Sequence, residues 1–244
     1  MKNFGLVVAV SLLLCVLGCQ DNSASLIILQ NQIPGTGCTV ESSSSGTHRP
    51  QGTLDVLWYT GAGQPAGYYM FPLLQNNLIS TEDTSTGQIE HNCLTVKEAE
   101  VDLDLGNAGG DVDGDLMKYK VSTAVTICPG EMRAVSVMVI PPQIVEMIAG
   151  GIPENGTEYA NVTIRMVSKR GRTTIKSSSM SFPIKICNGC LINNLGDCSS
   201  PGIPEDPATG NECNPAQDDP LECCVSGVDW VCPAESTYEV RPEE

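Results

Sequence analysis

Between residues 26 and 186 apolar side chains recur mostly at every second position, the period of a half-buried strand. The clearest stretch runs from Cys93 to Leu105. There Ala99, Val101, Leu103 and Leu105 point one way, and Glu98, Glu100, Asp102 and Asp104 the other. One dry face and one wet face is the pattern of an antiparallel sheet. Met117, Tyr119, Val121, Thr123, Val125 and Ile127 share one face of the next strand, which Cys128-Pro129-Gly130 ends. Further strands are expected over residues 26–33, 53–59, 68–75 and 132–140, around Val162, Ile164 and Met166, and along Met180, Phe182, Ile184 and Ile186. In 53–59 the alternation sets Leu54, Val56 and Trp58 against Asp55 and Tyr59. Pro72 cannot donate to a ladder and marks its strand as an edge or a bulge. Lys169-Arg170-Gly171-Arg172 reads as a hairpin turn. The only convincing helical turn is 143–149, opened by Pro141-Pro142 and stopped by Gly150-Gly151. About eight strands with so little helix predict an all-β fold, a β-sandwich with immunoglobulin-like or jelly-roll packing over residues 25–186.

The pattern breaks at both ends. At the start, Lys2 precedes an almost wholly apolar stretch from Phe4 to Leu17, closed by Val16-Leu17-Gly18-Cys19. A charged start, a short apolar run and a small-residue cleavage site are the order of a secretory signal. Such a run is too short to span a bilayer, which takes about 20 residues. The Val-Leu-Gly-Cys ending resembles the lipobox of bacterial lipoproteins. That resemblance implies removal of residues 1–18, thioether lipidation of Cys19 and acylation of the new amino terminus. Two or more acyl chains anchor a protein stably, where one does not. Residues 19–24 then form a short lipidated tether. Gln20 stands directly after the cysteine, where enterobacterial lipoproteins retained in the inner membrane carry Asp; the resemblance therefore implies the outer membrane, on its periplasmic face or the cell surface.

At the other end, from Cys187, Gly, Pro, Asn, Asp and Cys dominate, and no apolar run exceeds three residues. Residues 187–232 should be an irregular acidic tail ordered by disulfides, and 233–244 a mobile C-terminus. The Phe182-Pro183-Ile184-Lys185-Ile186-Cys187-Asn188-Gly189-Cys190-Leu191 segment resembles a feature of cysteine-rich surface lipoproteins of myxobacterial type. Those relatives imply an exported β-rich domain with a disulfide tail, and they supply no catalytic residues.

Cysteine count sharpens the picture. Of 12 cysteines, Cys15 leaves with the signal and Cys19 takes the lipid. Ten remain: Cys38, Cys93, Cys128, Cys187, Cys190, Cys198, Cys213, Cys223, Cys224 and Cys232. An even number in an exported chain predicts five disulfides and an oxidising compartment. Three lie before residue 180 and seven after it. Two odd groups that pair completely must share a bridge, so the tail should be stapled to the domain.

The charge excludes one class of partner. There are 29 acids against 13 bases, and losing Lys2 takes the formal charge from −16 to −17. Asp197 to Glu244 holds 12 of the acids and one base, Arg241. Phosphate backbones would repel such a chain, which excludes nucleic acid. By the same sum anionic headgroups should repel it, leaving the acyl anchor to hold the membrane.

Candidate chemistry is sparse. Cys187-Asn188-Gly189-Cys190 has redox spacing, but 191–196 is too short and Asn-rich to give the helix that activates such a pair. A disulfide around an Asn-Gly turn is the expected reading, and zinc is disfavoured because the chain has one Cys-x-x-Cys only. Asp111, Asp113 and Asp115 place oxygen ligands at alternate positions, as Ca²⁺ prefers, without the Gly and Glu of an EF-hand. No other cofactor is indicated. Tyr59, Tyr68, Tyr69 and Phe71 could form a platform for sugars, although cross-strand packing explains them as well. His48 and His91 sit apart in polar sequence. The expected function is a non-enzymatic module of the cell envelope, structural or binding a protein or glycan partner. A Ca²⁺-dependent adhesin and a thiol–disulfide oxidoreductase are the alternatives.

Overall fold

In the computed structural model the alternating segments become thirteen strands among the described residues, which are 25–62, 67–81, 90–109, 117–204, 207–211, 213–227 and 229–232. The signal, Cys19 and the Asp111–Asp113–Asp115 loop lie outside that set. In chain order the strands are β1 (Leu26–Asn31), β2 (Gly52–Asp55), β3 (Tyr68–Met70), β4 (Pro72–Asn76), β5 (Leu94–Asp104), β6 (Lys118–Ile127), β7 (Met132–Ala134), β8 (Val137–Ile140), β9 (Thr157–Arg170), β10 (Thr173–Cys187), β11 (Ile192–Asp197), β12 (Leu221–Ser226) and β13 (Asp229–Val231). Two short helices, α1 (Leu57–Ala62) and α2 (Pro142–Ala149), interrupt them.

The fold is all-β and sandwich-like. One layer is a five-stranded sheet in the order β2-β10-β9-β5-β6, antiparallel except for β2, which runs parallel to β10. Its inner face carries Leu103, Val101 and Ala99 from β5, Val162, Ile164 and Met166 from β9, and Phe182, Ile184 and Ile186 from β10, all buried. The opposite layer is split into β1-β4-β7 and β3-β8. Burying a side chain such as Phe182 or Leu103 is worth about 2–3 kcal/mol, so this shared interior supplies most of the driving force. The outer face of the large sheet is the expected wet one. Lys118 bridges Asp102 at 2.9 Å, and Lys176 bridges Glu100 at 2.7 Å.

Three expectations need correction. Pro72 does not demote its strand to an edge, because β4 lies at the centre of its sheet. The proline instead splits one strand into two, with Phe71 between β3 and β4, and occupies the first position of the second, where no ladder N–H is needed. Residues 132–140 divide in the same way, at Val135 and Ser136. The strand expected over 53–59 stops at Asp55, whose Oδ1 accepts the Leu57 N–H at 2.9 Å and turns the chain into α1. Asp55 is itself fully buried.

The tail also departs from the expected irregular segment. β11, β12 and β13 form a small sheet of their own, with β11 parallel and β13 antiparallel to β12. Ala216, Leu221 and Cys223 join the interior of the sandwich.

All ten cysteines pair, as the count requires: Cys38–Cys213, Cys93–Cys128, Cys187–Cys190, Cys198–Cys224 and Cys223–Cys232. Cys38–Cys213 is the bridge between the two odd groups. It closes a separation of 175 residues, so the double replacement Cys38→Ser/Cys213→Ser should cost up to about 5 kcal/mol on the loop-entropy argument. Urea unfolding of the double variant checks this, and an unchanged midpoint would show that the staple adds nothing to the non-covalent docking of the tail.

Candidate functional site

Two buried carboxylates organise the region where the tail meets the domain. The first is Asp55 at the end of β2. Because β2 runs parallel to β10, Asp55 lies in register with Cys187. The chain leaves β10 through the Cys187–Cys190 loop, whose tight turn uses Gly189 at φ +94°, a conformation costly for any residue with a Cβ. Asp55 holds this loop from beneath. Its Oδ1 accepts the Gly189 N–H and its Oδ2 the Leu191 N–H, each at 2.7 Å. With the Leu57 N–H this gives three backbone donors to one buried carboxylate, which offsets the cost of removing the charge from water.

The pair is asymmetric. Cys187 is fully buried while Cys190 is exposed. Of the two residues, Cys190 is the one that meets solvent. β11 follows at Ile192, so no helix N-terminus faces the pair. The Asp55 carboxylate and both sulfurs lie within 4.8 Å of one another, but the sulfurs are bonded to each other and offer no thiolate to a metal.

The second carboxylate is Asp218. It sits in the left-handed region at φ +70°, which Asp and Asn tolerate better than most residues. Its oxygens accept the Thr53 N–H at 2.8 Å, the Tyr68 hydroxyl at 3.0 Å and the Gln217 amide at 3.0 Å. Arg49 completes the arrangement, donating to the Asp218 carbonyl at 3.1 Å and to Asp219 Oδ1 at 3.0 Å. Gln217 adds a second clamp: its Oε1 accepts the Tyr69 N–H and its Nε2 donates to the Tyr69 carbonyl. Tyr68 is fully buried, and a Cβ at Gly52 would fall 2.0 Å from its hydroxyl oxygen, so only glycine fits there. Burial raises the Asp218 carboxyl above its ordinary value, and the Thr53 N–H and Arg49 only partly offset this. Burial likewise pushes the Tyr68 phenol well above its usual range.

The remaining sequence candidates do not converge. Tyr68 and Phe71 are buried and Tyr59 and Tyr69 half-buried, so the sugar platform is not formed; Tyr68 packs on Phe182 at 6.1 Å between ring centroids. His48 and His91 are both exposed, on different loops. Neither Asp55 nor Asp218 is marked as special by sequence reading. The one available signal is an Asp two residues before α1, the spacing of an Asx turn, which identifies Asp55 only once the helix is known.

Two outcomes are expected. Replacing Asp218 by Asn keeps the backbone conformation accessible but removes the charge and turns an amide toward Gln217, costing about 1–3 kcal/mol near neutral pH. An acid whose carboxyl is raised on folding binds its proton more tightly in the native state. Its contribution is therefore fullest below the ordinary value of 3.8 and declines as pH rises through the raised one. The stability gap between wild type and Asp218→Asn should accordingly narrow with rising pH, and a widening gap in denaturant titrations would refute this account. Separately, mild reductant with an alkylating agent should label Cys190 before any other cysteine, as peptide mass mapping will read.

The chain matches no protein-family model and no curated protein, so its function is argued from these residues alone.

Proposed function

We propose that the chain is an exported lipoprotein, anchored through Cys19 to the bacterial outer membrane, that serves as a non-enzymatic structural or partner-binding module of the cell envelope. The observation that carries this reading is the complete pairing of the ten cysteines after Cys19 into five disulfides. Such a set persists in an oxidising compartment and is reduced in the cytosol. A leader with a lipobox-like ending supplies the route to that compartment. No helix among the described residues is long and apolar enough to cross a membrane. Attachment in this reading therefore rests on the lipid.

The binding role rests on rigidity. A tail with little apolar sequence is fixed on the sandwich by Cys38–Cys213, Asp218 and Gln217 among its described residues. A tail that is acidic in sequence suits a protein or glycan partner carrying basic or hydroxyl-rich groups, and repels nucleic acid. The oxidoreductase alternative keeps one supporting observation, the exposure of residue Cys190, and lacks the helix dipole that usually activates such a pair.

Intact mass of the protein purified from bacterial membranes tests the reading. The expected species begins at Cys19, carries a diacylglyceryl group and acyl chain, and shows no free thiol in denaturant. Cys19→Ala should leave the membrane fraction. A chain that keeps its leader, or one with several free thiols, would sink the proposal.

A further inference from the structure

The N-terminal tether meets the domain at an identifiable place. The Ser25 carbonyl accepts the Asn77 N–H at 2.9 Å, so the loop after β4 lies beside the first described residue. Ile79 in that loop is 84% exposed, the most of any large apolar side chain among the described residues. The Ile79 carbonyl accepts the Asn92 amide at 2.8 Å, and Asn92 Oδ1 in turn accepts from Arg170 at 3.3 Å. Those contacts place the β9–β10 turn at the same end of the molecule. Lys169 and Arg172 on that turn are exposed, with Arg170 half-buried between them. Lys97, also exposed, lies on β5 beside the β9 end of the same turn.

Bases gather at this end around the β9–β10 turn, and Glu82 and Asp83, which follow Ile79 in sequence, lie outside the described residues. Lys97, Arg133, Lys169, Arg170 and Arg172 stand against Glu90, Glu98 and Glu131 among the described residues here. Glu90 is occupied by Ser80, Thr81 and Asn92, and Glu131 by Arg133 and the Cys128 N–H. The acidic tail starts at the far end of β10, 15 residues from the turn. At the rise of a strand that is about 45 Å, several times the Debye length at physiological salt. The tail's repulsion is therefore screened where the basic turn sits, and the net charge of −16 misstates the local field.

We propose that this end is a membrane-docking tip, in which Ile79 enters the headgroup layer and Lys169, Arg170 and Arg172 contact anionic lipid. The proposal rests on the lipoprotein reading, since the tether from Cys19 brings this end to the bilayer. Only five residues lie between Cys19 and Ser25, a span of at most about 22 Å. The tip thus lies within reach of the surface whenever the anchor is inserted. Each basic side chain held near an anionic surface raises partitioning roughly fivefold. Docking of this end turns the acidic tail away from the membrane, toward whatever partner the module binds.

The test uses the full lipidated protein carrying Ile79→Trp, bound to vesicles of phosphatidylcholine alone or of phosphatidylcholine with phosphatidylglycerol, each doped with brominated lipid. Trp58 is buried and Trp230 lies in the tail, so the wild-type protein supplies the background. Strong quenching of the new tryptophan is expected on the phosphatidylglycerol vesicles, several-fold weaker on phosphatidylcholine, and relieved by high salt. The triple variant Lys169→Glu/Arg170→Glu/Arg172→Glu should lose the difference between the two vesicles while still floating with both. Equal quenching on the two vesicles, or a triple variant that keeps the preference, would overturn the proposal. A protein that fails to float with phosphatidylcholine lacks the anchor, which counts against the lipoprotein reading. In that case flotation with phosphatidylglycerol vesicles still supports the tip, and its absence overturns it.

Discussion

The open edge of β2 is the constraint around which the two parts of this protein are joined. β2 has β10 on one side only, and the groups on its other side would be left without partners if the tail were removed. The tail supplies them: the Asp55 N–H donates to the Ala216 carbonyl, and the Asp218 N–H donates to the Thr53 carbonyl. Backbone groups that are buried must be paired somewhere, and here the pairing comes from a segment more than 150 residues further along the chain. The tail gains an ordered platform it has too little apolar surface to make for itself, and the sheet loses an edge that could pair with another molecule. The other edge strand, β6, is managed differently, with Lys118 and Lys120 standing on its outer face.

Covering an edge fixes position only loosely, because main-chain hydrogen bonds carry no sequence information and a strand can slip by two residues. Asp218 and Gln217 remove that freedom. The carboxylate meets Thr53 and Tyr68, the amide brackets both backbone groups of Tyr69, and neither set survives a shift of register. Cys38–Cys213 then joins the same region covalently. Polar groups thus specify what apolar burial alone leaves degenerate, at a cost in desolvation that the raised Asp218 carboxyl records. Asp55 plays the corresponding part under the Cys187–Cys190 loop. In a chain so rich in acids, most carboxylates keep it soluble, and these two join segments distant in sequence.

That division explains what was legible in the sequence. The alternation over β5 and β6 could be read directly, because each strand has one wet face and the period is a property of neighbouring residues. Counting cysteines on either side of residue 180 was enough to require a staple, since parity does not depend on geometry. Which cysteine makes the staple depends on the path of the whole chain, and Cys38 carries no local mark. Asp55 shows the same limit: alternation puts it opposite Leu54 and Val56, and it takes the tail and the Cys187–Cys190 loop to make that side dry. Pro72 announced an interruption correctly. Whether the interrupted strand lies at an edge or in the centre depends on β1 and β7, which a local reading does not contain.

Net charge misleads in the same way, because it averages over a molecule whose ends are different. The β9–β10 hairpin runs the length of the large sheet, with its turn at the end where Ser25 and Ile79 lie and its open end at the disulfide loop that begins the tail. Three of the chain's bases stand at the turn, while 12 of its 29 acids and only one base lie beyond Cys187. A long hairpin therefore converts a difference along the sequence into a difference between two ends in space. Charges separated by several Debye lengths act on their surroundings independently. The quantity that governs each surface is then its local charge, and a chain that is strongly acidic as a whole can still gather bases at one turn.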